Sequence, residues 1–274
     1  MKYTLFFSLA LLIVFNSCNE SEQGIDPPVG GTKYPTKLNT RWEYNTTTTI
    51  EYYDSTGHIS GTETLDYGNT VVKIIKINDT LGLYNNLVKF ETYDLSTPAN
   101  IGYYWYSNTD TAFTAVAYLN AGPSQWVIPK INVNRYLTFE ELKDLINSPE
   151  QNSLSNPSLI ISDSIIYETH RKVLAYPIAI NKRWVELISP FFRERYVDKI
   201  VNVNFNGQPI NCYEIKVDWS GFNKIEINDF VSLTHGLVRR EILADSITIT
   251  DPVHPDSGLF GRISSYSNLV RINQ

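Results

Sequence analysis

Four histidines, His58, His170, His235 and His254, carry the side chains best suited to proton transfer or metal ligation near neutral pH, and they stand singly. No two have metal-ligand spacing. His254 lies between Asp251 and Asp256 in a Pro-rich hexapeptide. That set offers too few oxygens for a hard cation and reads as a solvated loop. Cys212, in Ile210-Asn211-Cys212-Tyr213-Glu214-Ile215, has no neighbouring histidine to activate it and reads as a structural thiol in a strand. Glu140, Glu141 and Asp144 read as a helix surface. Glu194 and Asp198 flank Arg193, Arg195 and Lys199, which reads as cross-strand charge pairing. There is no Gly-x-Ser-x-Gly elbow, P-loop or Gly-x-Gly-x-x-Gly stretch. The expectation is no catalytic residue, no metal and no cofactor. Two carboxylates that converge only in space, as glycan hydrolysis needs, stay open.

Gly102-Tyr103-Tyr104-Trp105-Tyr106 is the densest aromatic run. On a strand it places rings on both faces. One face then belongs to a core and the other to a ladder at the sheet surface. The alternative is a ligand-facing platform of Tyr103, Tyr104, Trp105 and Tyr106 for sugar rings or acyl chains, which Trp126 and Trp219 could extend.

Cys18 has a different chemistry. Lys2 precedes an apolar run from Leu5 to Phe15, and Asn16-Ser17 places a small residue directly before the cysteine. The run is shorter than the ~20 residues of a membrane span, and its pattern is that of a cleaved export signal. Phe15-Asn16-Ser17-Cys18 resembles the lipobox of bacterial lipoproteins, although Phe15 replaces the usual Leu and Asn16 is larger than usual. The resemblance implies acylation of Cys18, palmitate included, and a membrane partner reached through that lipid. Multiple acyl chains would anchor the chain firmly. Residues 1–17 are then the signal peptide, and residues 18–32 the lipidated cysteine and a Gly- and Pro-rich tether that cannot bury enough surface to order itself. The acids Glu20 and Glu22 weakly resemble a signal for the outer membrane's outer face. Location is thus expected to be the cell envelope, most specifically the outer membrane, periplasmic or outer side.

The whole chain carries a formal charge of −6; loss of Lys2 with the signal makes it −7. With no Lys/Arg run, nucleic acid is not an expected partner. If Cys18 carries lipid, Cys212 has no intrachain partner.

Tyr34-Pro35-Thr36-Lys37-Leu38-Asn39-Thr40-Arg41-Trp42 returns as Tyr176-Pro177-Ile178-Ala179-Ile180-Asn181-Lys182-Arg183-Trp184. Tyr, Pro, Asn, Arg and Trp all match. Gly68 and Gly207 are each expected to open a strand, and Ile75-Lys76-Ile77 echoes Ile215-Lys216-Val217. The pattern reads as an internal repeat of one β-module, each copy opened by a proline that holds the chain extended and a tryptophan wedge.

Alternation predicts the strands. Trp42, Tyr44, Thr46, Thr48, Ile50 and Tyr52 share one face. Further strands are expected at His58 to Leu65 and Val71 to Ile77. Val197, Val201, Val203 and Phe205 share a face, and Asn206-Gly207 supplies a type I′ hairpin turn into a strand bearing Tyr213, Ile215, Val217 and Trp219. Later strands are expected at Lys224 to Ser232, Leu237 to Leu243, Ser246 to Thr250 and Arg262 to Ile272, and one between Leu159 and Val173. Thr138 and Glu141 form a capping box for a helix over about 138–147. The fold class is mainly β: two tandem antiparallel, half-barrel-like meander modules with a short connecting helix. The divisions are a first module at 33–125, a connector at 126–175 and a second module at 176–274.

The Tyr-Pro-(x)6-Trp openings and the Gly236-Leu237-Val238 step resemble a family of exported bacterial lipoproteins of unknown function. The architecture also resembles the open half-barrels of lipoprotein carriers and envelope lipid-binding proteins. That implies a curved sheet with one concave side, but fold analogy does not establish activity. The expected function is a membrane-anchored, non-catalytic binding or interaction module whose ligand is a lipid, a glycan or an envelope protein. A carrier of an amphiphile and an envelope glycan hydrolase are the competing readings.

Overall fold

Buried Trp42, Tyr44, Thr48 and Ile50 alternate with more exposed neighbours along residues 41–53, as a strand with one inward face requires. The same logic recurs along the chain. The computed structural model describes residues 31–99, 101–119, 165–188, 192–219, 225–249 and 259–274. They form twelve strands: β1 (Arg41–Tyr53), β2 (Ile59–Leu81), β3 (Tyr84–Asp94), β4 (Gly102–Asn108), β5 (Ala112–Leu119), β6 (Ile166–Ala175), β7 (Arg183–Leu187), β8 (Arg193–Phe205), β9 (Gln208–Trp219), β10 (Ile225–Ser232), β11 (Gly236–Ile249) and β12 (Leu259–Asn273). The expected helix at 138–147 and Trp126 lie outside the described residues.

All strands join one antiparallel sheet in the order β6-β5-β4-β3-β2-β1-β12-β11-β10-β9-β8-β7. The two six-strand runs meet where β1 pairs with β12, Trp42 opposite Ile272 and Ile50 opposite Ile263. The edge strands β6 and β7 are neighbours in sequence, and the sheet curls until they face each other. Trp184 Nε1 donates to the Lys172 carbonyl at 3.0 Å, and Arg171 Nη1 donates to Glu186 Oε1 at 3.4 Å. One aromatic-rich core fills the inside, with Trp42, Phe90 and Phe113 from the first run and Trp184, Ile215 and Val231 from the second. The Tyr106 and Phe113 rings stack at 4.7 Å, and those of Tyr34 and Phe113 at 4.8 Å.

The two Tyr-Pro-(x)6-Trp segments have matching local geometry. Asn39 and Asn181 both take positive φ, 67° and 65°. Asn39 N donates to Ile74 O and Ile74 N to Thr40 O; in the second segment Asn181 N donates to Val197 O and Val197 N to Lys182 O. The tyrosines touch directly, since Tyr34 N donates to the Tyr176 hydroxyl at 2.8 Å. The second echo does not fall on matching places. Ile75–Ile77 lie on β2, whereas Ile215–Val217 lie on β9, the third strand of its run.

Other expectations need correction for one shared reason: bulges carry strands through apparent breaks. Gly68 opens no strand. It sits inside the 23-residue β2 at φ 73°, where the register with β1 shifts, and its N–H is taken up by Asp66 Oδ1 at 2.8 Å. The expected strands on either side of it are therefore one. Ser246, at φ 52°, likewise carries β11 onward past the stretch expected to separate two strands. A bulge between Val197 and Lys199 moves Val203 off the face of Val197, so Val197 joins the main core and Val203 a smaller cluster around Cys212. The Asn206-Gly207 turn is as expected, with φ of 52° and 80° linking Phe205 to Gln208.

Candidate functional site

On β8 the alternation that buries Val197 also turns Arg195 and Arg193 inward, because residues two apart share a face. Register supports this placement. Arg195 stands opposite Val217 and Val197 opposite Ile215 on β9, and Ile215 lies in the main core. Asp229 on β10 stands opposite the same Ile215, and Arg240 on β11 stands opposite Asp229. Arg171 on β6 shares the face of Val173, and Glu186 on β7 shares that of Trp184. Six ionisable side chains are thus carried by five strands onto the inside of the sheet, each 5% exposed or less.

They form a chain of contacts. Arg240 grips Asp229 with Nε at 2.6 Å from Oδ1 and Nη2 at 2.8 Å from Oδ2, the two-pronged geometry that guanidinium suits. Arg195 Nη1 also donates to Asp229 Oδ2 at 2.8 Å. Its Nε lies 3.0 Å from Glu186 Oε2, and Arg193 Nε lies 3.7 Å from the same oxygen. Arg171 closes the chain at Glu186 Oε1. Burial works against an ionised Glu186, yet Arg195, Arg193 and Arg171 outweigh it and hold the carboxyl at about 2. Burial likewise opposes ionisation of Asp229, and Arg240 and Arg195 reverse it. Both carboxylates therefore stay charged at neutral pH. That suits charge recognition better than proton transfer, which favours a group that titrates near the working pH.

The alternation Arg193-x-Arg195-x-Val197 was the available signal for this cluster, since an apolar inward Val197 commits both arginines to the same side. Cross-strand pairing accounts only for their neighbours. Glu194 meets Arg183, Asp198 meets Lys216 and Lys199 meets Glu214. Arg171, Glu186, Asp229 and Arg240 carried no comparable sequence signal, because they come from four separate strands.

Tyr104 and Tyr106 lie in the main core, and Trp105 is buried on the other face with Val116 and Leu87. Tyr103 is half-buried beside it. Trp105 Nε1 donates to Asp79 Oδ2 at 2.9 Å, and the Lys89 ammonium sits 4.2 Å from the Tyr103 ring centre and 4.7 Å from that of Trp105. Cys212 is fully buried, and burial pushes its thiol up to about 12. Cys18 lies outside the described residues. Among the described residues no three His, Cys, Asp or Glu side chains gather as a metal site.

No family model matches the chain, and no curated protein matches it. Two solved structures are similar in part. One is a protein of Parabacteroides distasonis ATCC 8503 described as a candidate lipoprotein, at 11% identity and a TM-score of 0.33, covering 89% of this chain and all of that one. The other is a protein of Bacteroides fragilis NCTC 9343 described as a candidate exported protein with a YmcC-like fold, at 13% identity and a TM-score of 0.34, with the same coverage.

Proposed function

We propose that the chain is an exported lipoprotein, anchored in the outer membrane through acylated Cys18, that serves as a non-catalytic binding component of the cell envelope. The observation that carries this reading is the segment from Lys2 to Cys18, with its apolar run, its small residue before the cysteine and the polar tether beyond. Metabolic labelling with radioactive palmitate tests it. Label should enter the wild-type chain and co-sediment with outer membrane, and Cys18→Ala should lose both. An unlabelled wild-type chain, or a labelled Cys18→Ala chain, overturns the reading.

The binding half of the proposal is supported by the inward arginine cluster beside an aromatic core, an arrangement that suits a charged group attached to an apolar body. The paired geometry of the two Tyr-Pro-(x)6-Trp segments supports a further reading, that the two six-strand runs descend from one duplicated module.

A further inference from the structure

Antiparallel pairing throughout gives the sheet two rims. The start of β1 shares a rim with the β6–β7 connection, the β10–β11 turn and the end of β12. Residues 31–40 lead into β1 at that rim, so the N-terminal extension leaves from it. Twelve residues, Asn19 to Gly30, separate Cys18 from Gly31, and a backbone of that length spans at most about 40 Å. With Cys18 held in a membrane, this rim is the end of the molecule kept nearest the lipid.

The rim carries two matching turns. Leu38 and Ile180 hold the same place in the two Tyr-Pro-(x)6-Trp segments, one residue before Asn39 and Asn181. The shared tyrosines and tryptophans are buried and serve the core. Leu38 and Ile180 are 41% and 49% exposed, so packing gives little reason for an aliphatic side chain at either turn. Each has a lysine close by in sequence, Lys37 directly before Leu38 and Lys182 two residues after Ile180. The chain as a whole is acidic, yet in the connections of this rim, among the described residues, the one acidic side chain is Asp110, and Lys33 takes it in an ion pair. Lys37 and Lys182 are left without an acid partner among the described residues; Lys182 Nζ donates to the Pro177 carbonyl at 2.7 Å. Burial and the nearby Lys172 both hold Lys182 below the ordinary lysine range, so an anion brought to it would relieve a repulsion. Asp54, Asp218 and Glu226 lie towards the opposite rim.

We propose that this rim is a membrane-docking surface: Lys37 and Lys182 meet the phosphates of an anionic lipid surface, and Leu38 and Ile180 enter its headgroup layer. An aliphatic side chain beside a lysine suits that boundary, where one end is apolar and the other is charged. The lipid anchor and the rim then act together, the first holding the chain at the membrane and the second fixing which end faces it. The inference deepens the anchoring reading above and rests on it only for the presence of a membrane.

The test is co-sedimentation of the mature chain carrying Cys18→Ala, which removes the acylation site. The probes are vesicles of phosphatidylglycerol and phosphatidylethanolamine in equal parts and, separately, vesicles of phosphatidylcholine alone. The tether acids Glu20, Glu22 and Asp26 stay in place, so their repulsion is part of the reading. The chain should partition onto the anionic vesicles more strongly than onto phosphatidylcholine, and added sodium chloride should weaken it. Lys37→Gln should lower the partition coefficient about fivefold, and Lys37→Gln with Lys182→Gln about thirtyfold. Leu38→Ser with Ile180→Ser should lower it as well, whereas Arg262→Gln, at an ion pair towards the opposite rim, should leave it unchanged. Orientation is read with an environment-sensitive thiol dye, since Cys212 is buried and the introduced cysteine alone is open to label. On anionic vesicles the dye should shift to the blue in Leu38→Cys and stay unshifted in Ser55→Cys, in the β1–β2 turn. Equal partition onto the two vesicle types, full partition of the double lysine variant, or a blue shift in Ser55→Cys alone overturns the proposal. Palmitate labelling is read on the acylatable chain and is unaffected by these outcomes, so the two readings fail separately.

Discussion

Glu186 owes its charge to its neighbours, and that dependence has a pH signature. Its carboxyl is held at about 2 in the folded chain against an ordinary value of 4.5. A group whose folded value is depressed contributes stability that is complete above the unfolded value and is lost as pH falls towards the folded one. Urea unfolding from pH 7 down to pH 2 should therefore show stability declining from about pH 4.5 downward, and Glu186→Gln should flatten that decline. The same substitution removes one counter-charge from the buried Arg171, Arg193 and Arg195 and should cost ~3–5 kcal/mol at pH 7, read from the shift in urea midpoint. Cys212 gives an independent readout of the interior. With its thiol pushed up to about 12 and no surface exposed, the remaining thiol of a Cys18→Ala chain should resist Ellman's reagent in buffer and react fully in denaturant.

At the level of elements, the β10–β11 hairpin is where the first segment's aromatics lock onto the second run. Trp42 Nε1 donates to His235 O at 2.6 Å, and the Tyr44 hydroxyl donates to Leu237 O at 2.7 Å. Gly236, at φ +84°, lets them approach: an added Cβ would lie 2.8 Å from the Tyr34 hydroxyl and 3.1 Å from Trp42 Nε1. Gly207, at φ +80° in the β8–β9 turn, would meet nothing within 4 Å. Gly207→Ala should thus cost only the backbone strain, ~1–2 kcal/mol. Gly236→Ala should cost more, with clash added to strain, as side-by-side chemical denaturation would show. The contrast also separates what the sequence made legible from what it did not. The Asn-Gly turn, the inward face of β1 and the mainly β class follow from local periodicity and turn chemistry. Gly68 read as a strand opening because a glycine at positive φ in a bulge and one in a turn look alike in one dimension. The arginine cluster stayed hidden for the opposite reason. Its members are far apart in the chain, and only register across five strands brings them together.

For the molecule as a whole, the shared core is decisive. Trp42 and Phe90 pack in one cluster with Trp184 and Val231, so the main core belongs to both six-strand runs, and each run alone keeps only a smaller cluster on the other face. Residues 33–175 and 176–274, expressed separately, should each lack a cooperative transition, whereas the intact chain should unfold in one step with fluorescence and circular dichroism coincident. Mixing the halves should restore that transition if the β1–β12 pairing forms between chains. That pairing has one more consequence. β1 pairs on one edge with β2, its neighbour in sequence, but on its other edge with the last of the twelve strands, Trp42 beside Ile272. If the chain is exported as proposed, β1 leaves the translocation channel first, and the edge that pairs with β12 stays open until β12 has followed. Contacts of such long sequence separation form slowly. On that proposal the chain crosses the membrane before its central strand pair can close, and the β12-facing edge of β1 stays open to capture by envelope chaperones throughout its passage.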